Sequence, residues 1–160
     1  MSDFGAEVEA RLRTQVIARP LVFRAEIDST SNLARQLADE GATHGTAVLA
    51  GTQTAGRGRR GRTWTPLPGQ HVFTSVLLRP LLPPGRVPEL TLLAAAAVAD
   101  ALREVGAAPR IKWPNDVELD GRKACGILSE MNTDPAGRVT SVILGIGVNV
   151  ECDAADLPDD

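Results

Sequence analysis

The sequence contains no tyrosine, three phenylalanines and two tryptophans. Five aromatics are too few for the stacking platforms on which single-stranded nucleic acid lies. Cysteine is nearly as scarce: Cys125 and Cys152 form no metal-ligand spacing. Cys125 falls in the apolar run Ala124-Cys125-Gly126-Ile127-Leu128, where a small buried thiol is expected. No apolar run reaches membrane-spanning length. Met1-Ser2-Asp3 opens with an acid, the wrong sign for an export signal. These absences predict a cytoplasmic protein without membrane contact. There is no repeat, linker or low-complexity segment. With 43% hydrophobic and 23% charged residues, the 160-residue chain reads as one globular domain spanning 1–160.

Lysine is rarer than composition alone would suggest. Fifteen arginines stand against two lysines, Lys112 and Lys123, both inside "IKWPNDVELDGRKACGIL". A chain so biased toward arginine has kept lysine where a compact, strongly hydrated point charge matters. Acid is also missing locally. Residues 41–88 hold no Asp or Glu but six arginines, a +6 segment inside a chain of net charge −3. A concentrated positive field in an acidic protein suits a small anion better than a long polyanion, which asks for a broad basic face. Binding to nucleic acid is therefore not expected.

Periodicity predicts a helix over 5–18, with Val8, Leu12, Val16 and Ile17 inward, and a strand over 21–27. The stretch "DSTSNLARQLADEG" predicts a helix marked at both ends. Strands are expected over 46–53 and 71–78. A helix over 88–105 should turn Leu93, Ala97, Ala101 and Val105 inward. Short strands at 110–113 and 117–119 lead through the Asp120-Gly121 hairpin into 123–131. A long apolar strand, 139–150, is broken by Gly145 and Gly147. Consecutive late strands point to an α/β (α+β) fold with a mixed, largely antiparallel sheet and helices packed on it, not a βαβ-wound domain.

The densest signal is "GRGRRGRTW", residues 56–64. Its glycines match G-x-G-x-x-G, but that fingerprint needs a helix directly afterwards to hold the pyrophosphate. Here Thr65-Pro66-Leu67-Pro68-Gly69 follows, which forbids one, and the next acid is as far away as Glu89. A Walker loop fails for want of its Lys-Ser/Thr. What remains is a loop of backbone N–H donors and guanidinium groups suited to carboxylate or phosphate. Without an anion its like charges would repel, unless a distant acid such as those of the 151–160 tail folds back onto it.

"GTQTAGRGRRGRTW", "IKWPNDVELDGRKACGIL" and "VILGIGVNV", in that order, resemble the biotin protein ligases (biotin–[acetyl-CoA-carboxylase] ligases) from about Leu21 to Val150. Lipoate ligases and octanoyl transferases share the fold but lack this pairing of motifs. The resemblance implies an ATP- and Mg²⁺-dependent enzyme. It would join biotin to the α-phosphate as biotinyl-5′-AMP, then pass it to a lysine of a carboxylase's biotin-carrier domain.

Site roles follow from the same resemblance. Ser29 and Thr30, at a helix start, and Gln53 would meet the biotin ring. Gly56, Arg57 and Arg59 would wrap the carboxylate and phosphates, while Arg60 and Arg62 face phosphate or solvent. Lys123 would bridge carboxylate and α-phosphate from a rigid hairpin base, with Gly126 admitting the ligand to the sheet. Asn115, Asp116 and Lys112 would lie near the phosphates, Asp116 as Mg²⁺ ligand or as base for the incoming lysine. Gly145 and Gly147 would leave room for biotin, and Asn149 would read the adenine. Trp64 would pack the loop base; His44 and His71 receive no role.

The chain departs from the family at Ser31 and Glu151, where asparagine is common. Against the family pattern, the C-terminal part and a small β-barrel are expected to be missing beyond Asp160. Residues 1–20 are too few for a DNA-binding winged helix, so no transcriptional role is expected. A homodimer is compatible with the family. Two classes stay open: the ligase, and a biotin-binding module with little or no turnover.

Overall fold

The computed structural model describes residues 4–64 and 70–150. The Thr65–Gly69 stretch, Cys152 and the acidic tail with Glu151 lie outside the described residues. The elements are α1 (Phe4–Arg11), β1 (Leu21–Ile27), α2 (Thr30–Asp39), β2 (Ala47–Gln53), β3 (His71–Leu78), α3 (Pro88–Glu104), β4 (Arg110–Lys112), β5 (Asp116–Leu119), β6 (Arg122–Thr133) and β7 (Val139–Asn149). One seven-stranded sheet runs β1-β2-β3-β7-β6-β5-β4. Only β1 and β2 are parallel, joined across α2; every other neighbouring pair is antiparallel. The fold is therefore α/β with a mixed, largely antiparallel sheet. It contains one βαβ crossover that the reading of late strands did not anticipate.

Alternation along β7 puts the two helices on opposite faces, because successive side chains of a strand point opposite ways. Ile143 packs with Ala34 and Ala38 of α2, Val48 and Leu77. Its neighbour Leu144 packs with Ala94, Ala95 and Ala99 of α3, Val117, Cys125 and Ile127. Alanines at the helix contacts let both helices lie close to the sheet. The end of α2 is stapled by Arg79, whose guanidinium donates to the carbonyls of Ala38 (2.8 Å), Ala42 (3.0 Å) and Thr140 (3.2 Å).

Three expectations change. The first helix stops at Arg11, not at residue 18, and Val16 and Ile17 are exposed. Arg19 donates to the Leu12 carbonyl, and Ala18 N–H donates to Gly45 O at 2.8 Å, so the chain leaves the helix to cross Gly45. A Cβ on Gly45 would run into the Val16 carbonyl oxygen. The buried face of α3 is Thr91, Ala94, Ala95 and Ala99, whereas Leu93 and Val105 are exposed. Residues 92–99 are all apolar, so the sequence offers no polar position to fix the helix's rotation. Finally, Gly145 and Gly147 do not break β7: pairing with β3 and β6 continues through both.

Candidate active site

A cavity of about 630 Å³ opens on the α2 face of the sheet. Its walls come from the start of α2, from β3, β6 and β7, from the 57–64 loop and from the Trp113–Asn115 turn with the Asp116 that follows it. Lys123, Gly126 and Leu128 of β6 line it, as do Gly145, Gly147 and Asn149 of β7 and His71 and Phe73 of β3. Each set is spaced in twos or close to it, as one face of a strand requires.

One end is a buried hydroxyl chain. Gln53 Oε1 accepts from the Thr30 N–H (2.6 Å) and from the Thr30 hydroxyl (2.9 Å). Ser75 Oγ lies 2.8 Å from Thr30 Oγ1 and 3.0 Å from Ser31 Oγ. A hydroxyl has one proton to give. Thr30 gives its proton to Gln53, so Ser75 donates to Thr30 and Ser31 donates to Ser75. Gln53 thereby satisfies a first-turn N–H of α2 that no helical carbonyl can reach. Ser29 occupies the N-cap position with extended backbone but makes no side-chain capping bond, which separates its hydroxyl from the simple capping role. Asp28 ties down the entry to the helix, its carboxylate accepting from the Ser29 N–H and from the Asn32 side-chain amide, both at 2.6 Å. The Asn32 bond, then the Ser29 N–H bond, hold the Asp28 carboxyl below its usual range.

The middle of the site is aromatic. Trp64 stands edge-on to His71 (6.1 Å) and Phe73 (6.3 Å). A Cβ on Gly126 would come within 2.7 Å of the Trp64 ring, and one on Gly147 within 3.1 Å. One on Gly145 would approach Ser31 Oγ at 2.9 Å. These glycines give room to the cavity's own walls, Trp64 and Ser31. Trp64 is thus a wall of the site and not merely packing at the loop base.

The other end carries charge. Lys123 Nζ lies 2.9 Å from Asp116 Oδ2 and 5.9 Å from the Trp64 ring centre. Asn115 donates to Asp116 Oδ1 (3.0 Å) and accepts from Arg59 (2.8 Å). Asp116 opens β5 and is not a turn residue. Asp120 and Gly121 both have positive φ, the signature of the tight turn that delivers Lys123. Asn149 donates to the Lys123 carbonyl at 2.8 Å, and its own buried Oδ1 has no partner among the described residues. Cys125 points to the α3 face, where burial, then the Asp116 charge, push its thiol up to about 12.

The Gly/Arg loop is a small hairpin. Arg57 bridges Thr63, Gly58 N–H donates to Arg62 O (2.7 Å) and Trp64 N–H to Gly56 O (2.9 Å). Arg57, Arg59, Arg60 and Arg62 all line the cavity. With Lys123 they make five cations facing one carboxylate, Asp116, among the described residues that line the cavity. Arg57 has found a distant acid after all, Glu130 of β6 at 3.1 Å, which Arg35 of α2 also engages at 2.9 Å.

Most of the residues singled out from the sequence therefore converge here, with two that do not. Lys112 is exposed on β4, pairs with Glu118 at 2.9 Å and is not among the residues that line the cavity, although its neighbour Trp113 is. Gly56 sits behind the wall, between Trp64 and the Gln53 amide. Sequence reading missed Ser75, Phe73, His71 and Trp113 as lining or supporting residues. For the first three, the odd-numbered spacing along β3 was an available signal. Arg35 and Glu130 gave none.

The sequence model of the Biotin/lipoate A/B protein ligase family matches residues 23–149. The chain belongs to this family. Within it, the likenesses are to biotin ligases. The bifunctional ligase/repressor BirA of Bacillus subtilis is 44% identical over 156 residues, which is 97% of this chain and 48% of that protein. The biotin–[acetyl-CoA-carboxylase] ligase of Paracoccus denitrificans is 44% identical over 129 residues, 79% of this chain and 52% of that one. The solved biotin protein ligase of Aquifex aeolicus in complex with biotin and ATP superposes with a TM-score of 0.67 at 33% identity, covering 87% of this chain and 55% of that one. The chain thus spans about half the length of the curated relatives it matches. Among the described residues no helix is long and apolar enough to cross a membrane.

Proposed function

We propose that this chain, as one catalytic domain, activates biotin with ATP as biotinyl-5′-AMP and passes the biotinyl group to a lysine of a carboxylase's carrier domain. The observation that carries the reading is the charge of the cavity: five cations and one carboxylate, next to an apolar pocket closed by a hydroxyl chain. Such a pocket suits a ligand with a polar ring head, an apolar middle and an anionic tail. Biotin has that order, and its carboxylate must be pressed against the α-phosphate of ATP.

The Ser29, Thr30 and Gln53 end takes the ring head, and Trp64 and Phe73 flank the alkyl chain. Lys123 and Arg59 offset the charge that builds as carboxylate oxygen attacks the α-phosphorus and pyrophosphate leaves. Arg60 and Arg62 meet the leaving phosphates, and Asn149 Oδ1 accepts from the adenine side. The acceptor amine then forms a bond to the acyl carbon, the acyl–phosphate bond breaks and AMP departs. Asp116 is placed to take the amine's proton. With Lys123 and Asn115 already on its two oxygens, it would offer a magnesium ion at most a single contact, beside those that the phosphates of ATP would supply.

Biotin-dependent exchange of labelled pyrophosphate into ATP tests the reading. Exchange that requires both biotin and the chain is expected; biotin binding without exchange would leave only a binding module.

A further inference from the structure

The four loop arginines are not equivalent. Arg59 is bound by the neutral Asn115, and Arg60 and Arg62 have no acid partner among the described residues. Arg57 alone is tied down, at Glu130 Oε2 (3.1 Å), while Arg35 takes Glu130 Oε1 (2.9 Å). The three side chains are 38%, 30% and 34% exposed, so the trio is partly sheltered. It also joins three walls of one cavity: Arg35 belongs to α2, whose first turn carries Thr30; Glu130 to β6, which carries Lys123; and Arg57 to the first strand of the loop hairpin.

We infer that Glu130 is a positioning residue, pinning the root of the arginine loop through Arg57 and, through Arg35, fixing that root relative to α2. On this assignment Arg57 anchors the hairpin, and Arg59, Arg60 and Arg62 form the arm that closes over the anion. The inference rests on the proposed ligase reading for its kinetic consequence, but its structural consequence stands without it.

Glu130→Gln keeps shape and removes charge. In the ligand-free chain, hydrogen exchange at the Gly58 and Trp64 amides, which close the hairpin, should speed up about three- to tenfold, the range open to a partly sheltered pair with two cations. Release of biotinyl-adenylate should quicken by a similar factor, with pyrophosphate exchange at saturating substrate changed less. Arg35→Gln, on a helix surface, should give the same changes in smaller measure and guards against misfolding of the first variant. Raising salt should narrow the difference between wild type and Glu130→Gln without abolishing it, because a partly sheltered Coulombic tie is only partly screened, whereas a packing role is not screened at all. Unchanged amide exchange in Glu130→Gln, or a difference that does not narrow at all as salt is raised, overturns the assignment whatever the activity. Absence of pyrophosphate exchange in the wild type overturns the ligase reading and leaves the amide result to decide this one.

Discussion

On the proposed reading, Lys123 is the residue on which the site's chemistry turns. Its ammonium is held 2.9 Å from Asp116 and near the Trp64 face, so it is oriented before any substrate arrives. Lys123→Ala should lower pyrophosphate exchange by about 2–4 kcal/mol of transition-state stabilisation, the scale of one lost electrostatic donor. A rate within a few-fold of wild type would remove Lys123 from the first step. Cys125, two positions away, behaves in the opposite way. With its thiol pushed up to about 12 it stays protonated and buried, and only the thiolate is nucleophilic. Iodoacetamide at pH 8.5 should leave the Cys125 peptide unmodified in the folded chain and alkylate it in urea, as peptide mass spectrometry will show. Lys123 was legible because lysine is so rare here. Glu130 was not, because its partner Arg57 lies 73 positions away and nothing local marks the pair.

At the scale of elements, α2 is the hinge between sequence and site. Its boundaries were readable from capping residues and apolar spacing; the agent that satisfies its first N–H was not, since Gln53 comes from the next strand. Asp28 gives this helix start a pH signature. Its carboxyl is lowered in the folded state, by Asn32 and then by the Ser29 N–H. Its contribution to stability is therefore present above the unfolded value of about 3.9 and lost as pH falls through the lower folded value. Asp28→Asn should flatten that part of the acid limb of a stability–pH curve measured by urea unfolding; a limb of unchanged slope would show that the Asp28 carboxylate does not hold Ser29 and Asn32 in solution. The same comparison explains the error at α3. Its rotation is set by where alanine lets the helix approach the sheet, and a run of apolar residues carries no record of that choice.

For the molecule as a whole, the strands and the β5–β6 hairpin were within reach, because alternation and the Asp120-Gly121 turn are local signals; the order of the sheet was not. The single parallel pair was not, since only the sheet assembled in space decides where β1 docks. The anion site was visible as an acid-free, arginine-rich segment; its walls were not, because they come from six elements. One consequence follows from the loop hairpin. A single segment of nine residues supplies both the indole wall beside the apolar pocket and the arginine arm beside the phosphates, with Trp64 N–H bonded back to Gly56. The two ends of the cavity cannot be rearranged separately. Occupancy of one is thermodynamically linked to occupancy of the other, and linkage is reciprocal: biotin must tighten a non-hydrolysable ATP analogue by the same factor as the analogue tightens biotin. Calorimetric titrations in both orders measure that factor, and a value of one would mean that wall and arm move independently.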